Sequence, residues 1–237
     1  METRALRRRL VDTAAGRYRS AGRFAYHFAR GKLGRDPVFS ALLSQGLIRD
    51  RARVLDLGCG QGLLACWLIA AGECHRGGDW YCGWPPPPVG CSFRGIELMR
   101  RDVARARRAL GAVADVEAGD IRTAPFGAAD TVVILDVLHY MDARSQEAVL
   151  GRVRAALSPD GVLLLRIGDA SGGLPFRISR WVDRTMLFLQ GHGFVRLHCR
   201  PLPEWIGLLE QLGFQTDAIP MRANTPFANV LLVSRPR

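Results

Sequence analysis

The run Val54-Leu55-Asp56-Leu57-Gly58-Cys59-Gly60-Gln61-Gly62 constrains this chain more than any other. A short apolar strand carrying an acid turns through three glycines at alternate positions and opens a helix at Leu63. Glycine reaches backbone conformations closed to other residues and lets a ligand approach the main chain. The helix start adds free N–H donors. Dinucleotide sites place their third glycine one position later, where this chain has Leu63.

The same rhythm continues downstream. Helix is expected over Leu63–Ala71, strand over Phe93–Glu97, helix over Arg100–Leu110 and strand over Ala112–Glu117. Strand follows over Thr131–Leu135, then helix over Arg144–Leu157. The turn Ser158-Pro159-Asp160-Gly161 leads into a buried strand over Val162–Ile167. Strands alternating with helices imply right-handed βαβ units and a parallel sheet. Near the C-terminus, Glu204–Leu212 reads as helix, and Phe214–Ile219 with Asn229–Val233 as an antiparallel strand pair. Residues 72–92, with Trp80, Trp84, Pro85 to Pro88 and three cysteines, read as a non-helical insertion. It joins a helix to the next strand, so it belongs at the strands' N-terminal ends, away from the ends where such sheets bind ligands.

Charge separates the chain into two parts. The formal net charge is +11, from 33 basic and 22 acidic residues, and Lys32 is the one lysine. Residues 1–53 hold 13 basic and four acidic residues, +9, and the remainder 20 and 18, +2. Residues 1–52 therefore read as a basic helical cap, and 53–237 as the main domain with its insertion at 72–92. In the cap, Gly31-Lys32-Leu33-Gly34 is expected to break the first helical stretch. Asp36-Pro37 then reads as an N-cap and first helical residue, with Gly46 closing that helix. A basic cap suits an acidic partner. No apolar run nears the roughly 18 residues of a membrane span. The N-terminus lacks the apolar stretch of a secretory signal, which makes a cytoplasmic location the expectation, although its arginine-rich, acid-poor composition also matches a mitochondrial presequence.

Asp56-Leu57-Gly58-Cys59-Gly60-Gln61-Gly62 resembles the first motif of class I S-adenosylmethionine-dependent methyltransferases. Gly95-Ile96-Glu97 resembles the end of that family's second strand and Gly119-Asp120-Ile121 the end of its third. Asp136-Val137-Leu138-His139-Tyr140 resembles the fourth-strand end of the small-molecule branch, and Leu157 to Gly161 the turn before strand five. The likeness spans roughly Arg53 to Ile167 well and the last strand pair loosely. It implies an α/β, Rossmann-like, doubly wound and mostly parallel sheet, with S-adenosylmethionine as cofactor. By resemblance, Asp56, Gly58, Gly60 and Gly62 surround the methionyl part. Glu97 accepts from the ribose hydroxyls with Leu98 beside it, Asp120 and Ile121 meet the adenine, and Asp136 completes the cofactor set. Glu73 and Asp79 lie nearer the family's usual spacing, but Glu97 alone ends an apolar strand.

The remaining candidates concern the acceptor. Methyl transfer is an in-line displacement in which the protein positions reactants and excludes water. An oxygen acceptor of high pKa also needs a base, and His139 is placed for it. Tyr140 would shape the pocket or face the sulfonium. Two segments could cover the substrate. One carries Tyr26, His27, Lys32 and Arg35. The other carries Asp169, Arg177, Arg180, Trp181 and Arg184, whose arginines could clamp an anion or simply form a solvated helix face. Cys74, His75, Cys82 and Cys91 lack a C-x-x-C pair, so no metal site is expected. The expected activity is methyl transfer to a small-molecule or carrier-bound acyl or aryl acceptor at oxygen or carbon, with an acidic carrier protein as the candidate partner. The alternatives are RNA methylation using the basic cap, so that nucleic acid stays open as a partner, and a non-catalytic binding protein of the same fold.

Overall fold

In a computed structural model the chain is described over residues 3–168, 197–221 and 229–237. Its elements run α1 (Thr3–Gly16), a 3-10 turn (Arg17–Ala21), α2 (Arg23–Arg35), α3 (Pro37–Ser44), β1 (Arg53–Leu57), α4 (Leu63–Arg76), β2 (Ser92–Glu97), α5 (Arg100–Leu110), β3 (Ala114–Ala118), β4 (Ala129–Leu135), α6 (Ala143–Ala156), β5 (Leu157–Gly168), α7 (Leu202–Gln211), β6 (Phe214–Pro220) and β7 (Asn229–Pro236). Seven strands form one sheet in the order β3-β2-β1-β4-β5-β7-β6. The β1–β2 and β2–β3 ladders are parallel, and β7 runs antiparallel to both β5 and β6. This is the Rossmann-like, mostly parallel sheet with an antiparallel C-terminal pair that the sequence implies. Among the described residues no helix is long and apolar enough to cross a membrane.

The chain gathers into two compact units, residues 1–125 with 129–131, and residues 126–128 with 132–237. The 52/53 boundary expected from the charge is not where they divide, because the cap shares the first unit's core. Leu6, Leu10, Tyr18, Ala25, Ala29 and Leu33 are fully buried there. The Trp67 ring of α4 meets Phe39 of α3 edge-on at 5.9 Å, and its indole N–H donates to the Phe39 carbonyl at 2.8 Å. Cap arginines pair with acids beyond the cap: Arg17 with Glu73, and Arg9 with Asp79 at 2.8 Å. Part of the cap's excess charge is therefore neutralised inside the first unit.

Three local expectations are corrected. Gly31 and Gly34 do not break the helix, and α2 runs through them to Arg35. Its Ala25–Ala29–Leu33 stripe, spaced at i, i+4, is buried, and that packing outweighs the roughly 1 kcal/mol a helical glycine costs. The stop comes instead at Asp36, whose conformation the following Pro37 restricts and whose carboxylate caps α3 by accepting from Val38 N at 3.1 Å. Gly72 to Arg76, expected as loop, continue α4. Ser158 to Gly161, expected as a turn, lie inside β5. Pairing with β7 begins only at Leu163, so Pro159 costs that ladder no hydrogen bond.

The insertion keeps its expected place. Arg51 N donates to the Val89 carbonyl at 2.8 Å and Ser92 N to the Ala52 carbonyl at 3.1 Å, tying it to the chain entering β1. Trp80 donates to the Pro85 carbonyl and meets Trp84 edge-on. The same end of the sheet holds Asp130, whose carboxylate accepts from Arg53 N, the Arg53 guanidinium and Arg49.

Candidate active site

In the first unit, the glycine turn is shaped by backbone that only glycine adopts cheaply. Gly58, Gly60 and Gly62 all have positive φ, at 74°, 55° and 79°. A Cβ on Gly62 would stand 2.6 Å from Leu110 Cδ1 and 3.3 Å from Ala106 Cβ, so this glycine also sets how closely α4 approaches α5. Gly60 differs, since a Cβ there would meet nothing within 4 Å. Its main chain faces open space, as a turn that cradles a ligand must.

Glu97, at the C-terminal end of β2, is aimed at this turn. One carboxylate oxygen accepts from Gly60 N and the other from Met99 N, both at 2.8 Å. Each bond uses one lone pair, leaving acceptor capacity on both oxygens. Asp56 lies behind the turn, where burial and then the Glu97 charge raise its carboxyl to about 7. Asp120, beyond β3, accepts a bidentate contact from Arg122, which holds its carboxyl below the usual carboxylate range. Leu98 is 62 % exposed, whereas Ile121 is buried. Glu73 lies on α4 paired with Arg17, and Asp79 beyond it paired with Arg9, so neither ends a sheet strand.

One support of the turn, Tyr18, was missed by sequence reasoning. The Tyr18 hydroxyl donates to the Gln61 carbonyl at 2.8 Å, and the Gln61 side-chain amide donates to the Ala25 carbonyl at 3.2 Å. Tyr18 is wholly buried, which lifts its hydroxyl well above the ordinary tyrosine value. An aromatic among arginines gave no signal that it would reach the turn.

In the second unit, β4 ends at Leu135 and Asp136 turns with φ of 60°, a left-handed conformation rare for a residue with a side chain. Its carboxylate accepts a bidentate contact from Arg166 of β5, with Nε at 2.8 Å from Oδ1. His139 and Tyr140 follow on a 3-10 turn, with ring centroids 4.1 Å apart. Among the described residues His139 Nε2 is sealed from solvent with no hydrogen-bond partner. Burial first, and Arg166 after it, lower the His139 pKa below its ordinary value, against the pull of Asp136. Arg166 gave no signal in the sequence because it sits within an apolar strand.

The acceptor candidates fare unequally. Lys32 is engaged by Asp36 at 2.9 Å, His27 is exposed, and Tyr26 lies under Arg19 at 5.8 Å. Arg177, Arg180 and Trp181, with Asp169 and Arg184, lie outside the described residues. The six cysteines are free, and among the described residues no group of three or more His, Cys, Asp or Glu side chains is placed to hold a metal ion.

The sequence profile described as a methyltransferase domain matches residues 27–219. The chain belongs to that family. S-adenosylmethionine is accordingly its cofactor, and the turn that opens at Gly60 with acids at the ends of the first three strands fits that group. A carboxy-S-adenosyl-L-methionine synthase of Chromohalobacter salexigens is 33% identical over 129 residues, covering 52% of this chain and 43% of that protein. The chain spans about half the length of the curated relatives it matches. Among solved structures, the magnesium protoporphyrin IX methyltransferase ChlM of Synechocystis PCC 6803, with bound SAH, aligns over 99% of this chain and 100% of its own, with a TM-score of 0.59 and 17% identity. The mitomycin 7-O-methyltransferase MmcR aligns over 89% and 56%, with a TM-score of 0.60 and 23% identity. At such identities these structures speak for the fold.

Proposed function

We propose that this chain transfers a methyl group from S-adenosylmethionine to an oxygen of a small hydroxylated acceptor, free or held on an acidic carrier protein. The observation that supports cofactor binding most strongly is the Glu97 carboxylate, fixed by Gly60 N and Met99 N with acceptor capacity left for two vicinal hydroxyls. When bound, the cofactor supplies a methyl group activated on a sulfonium. The glycine turn takes its methionyl part, and Asp56 in its ionised form answers the cofactor's ammonium. Asp120 accepts from an exocyclic amine.

The acceptor's proton falls to His139. A neutral imidazole with an unengaged, water-excluded Nε2 among the described residues is equipped to take a hydroxyl proton as the oxygen is methylated. The basic cap is the surface proposed for an acidic carrier, through cationic side chains such as Arg4 and Arg8 on α1.

A second reading has one observation in its favour, the 33% identity to a carboxy-S-adenosyl-L-methionine synthase. In that case the cofactor itself would leave the protein altered. Mass spectrometry separates the two. Purified chain incubated with S-adenosylmethionine, a panel of phenolic and enolic acceptors and carboxylic acids able to give up their carboxyl group is expected to yield S-adenosylhomocysteine and a methylated acceptor. A cofactor heavier by one carboxyl group, with no acceptor methylated, would replace the first reading by the second.

A further inference from the structure

We infer that Gln146 is a positioning residue of the reaction: its buried side-chain amide holds the short turn that carries His139 and ties residues 198–200 to it. The inference rests on the reading of His139 as the base. Gln146 stands in the opening turn of α6 and is fully buried, where a polar side chain must find partners or cost stability. Its amide nitrogen donates to the Leu138 and Met141 carbonyls, each at 3.1 Å, and to the His198 carbonyl at 2.8 Å. An amide has two N–H bonds, so one hydrogen is shared between two of these carbonyls. Its oxygen accepts from Arg200 Nε at 2.9 Å. Carbonyls only accept and a guanidinium only donates, so these partners allow the amide one orientation. Arg200 is itself held by the Ala143 carbonyl at 3.1 Å and by Glu147 at 2.7 Å.

The consequence for His139 is mechanical. Leu138–Tyr140 is a single 3-10 turn, closed by Tyr140 N on the Val137 carbonyl and Met141 N on the Leu138 carbonyl, each at 3.1 Å. Three residues of 3-10 helix have poor hydrogen-bond geometry and little stability of their own. Gln146 grips the carbonyl of the residue before His139 and that of the second residue after it. His198 N donates to the His139 carbonyl at 2.8 Å, and the His198 carbonyl accepts from Gln146 in turn. The backbone that bears the imidazole is thus fixed from three points through one side chain. All of these residues belong to the second unit. A catalytic group displaced by about 1 Å can lose on the order of a hundredfold in rate, so the grip bears on turnover as well as on folding.

Gln146→Met keeps the length of the side chain and removes its hydrogen bonds. Amide hydrogen exchange of the full chain, followed by NMR, needs no acceptor. The amides of Tyr140, Met141 and His198 are expected to exchange at least about tenfold faster in the variant, with the β5–β7 ladder at wild-type rates. Unchanged exchange at the turn, or the same acceleration in the ladder, overturns the inference. Turnover is then read on the phenolic or enolic acceptor that the wild type methylates fastest. Gln146→Met should lower kcat at least about tenfold with KM for S-adenosylmethionine within about twofold. In a His139→Gln background the same substitution should cost less than about twofold, because a residue that acts through His139 has nothing left to position. An equal loss in both backgrounds, or no loss in either, overturns the inference and leaves the base in place. Full turnover by His139→Gln alone, or a wild type that methylates no acceptor, removes the base reading and this role with it. If Gln146→Met does not fold, Arg200→Met, which frees the amide oxygen, should show the same pattern at about threefold, and its failure to do so overturns the inference.

Discussion

Asp56 carries an electrostatic cost whenever it is ionised in the folded chain. Its carboxyl sits near 7 in the folded chain against 3.8 in a free side chain. A raised acid favours folding while it is protonated, and that contribution fades as pH rises from the unfolded value through the folded one. Asp56→Asn, which never ionises, should therefore stabilise the protein by about 1–3 kcal/mol at pH 8 and by little at pH 4. Thermal unfolding at the two pH values measures the difference. The same substitution should weaken S-adenosylmethionine binding, since the proposed contact with the cofactor's ammonium needs an ionised Asp56. Cofactor affinity in the wild type should accordingly tighten as pH rises from 6 to 8. Gly62 makes a purely steric prediction. Gly62→Ala adds left-handed strain and a 2.6 Å clash with Leu110, and should cost about 2–4 kcal/mol in denaturant unfolding.

At the scale of elements, the cap and the glycine turn form one construction. The turn's Gln61 is held by Tyr18 from the 3-10 segment and by Ala25 from α2. Tyr18→Phe leaves the buried Gln61 carbonyl without that donor. It should cost about 1–3 kcal/mol of stability and loosen the cofactor several-fold in calorimetric titration, although Tyr18 is assigned no contact with the cofactor. These elements were unequally legible beforehand. β1, β2, β4 and α5 follow from apolar runs and helical spacing that report their own burial. The fate of Gly31 and Gly34 does not, because it is decided by what Ala25, Ala29 and Leu33 pack against rather than by the glycines. Asp56, Glu97 and Asp120 were readable because each lies at or just beyond the C-terminal end of an expected strand. Tyr18 and Arg166 were not, because their roles depend on partners 43 and 30 positions away.

For the whole molecule, the charge of +11 first suggests a polyanion binder, and the folded chain sharpens that picture. Arg9 and Arg17 pair with Asp79 and Glu73, and Arg49 and Arg53 with Asp130. The basic cap is thus partly an internal fastening, and what it offers a partner is smaller than the raw count. Charge reversal at Arg4 and Arg8 should weaken a carrier complex and flatten its salt dependence without altering cofactor affinity. Above all, the turn from Gly58 to Gly62, closed by Glu97, should hold S-adenosylmethionine. Isothermal titration of the full chain and of Glu97→Ala decides this. Saturable binding by the wild type and at least tenfold weaker binding by the variant are expected, whereas no binding at millimolar S-adenosylmethionine, or equal affinity in both proteins, would overturn the assignment.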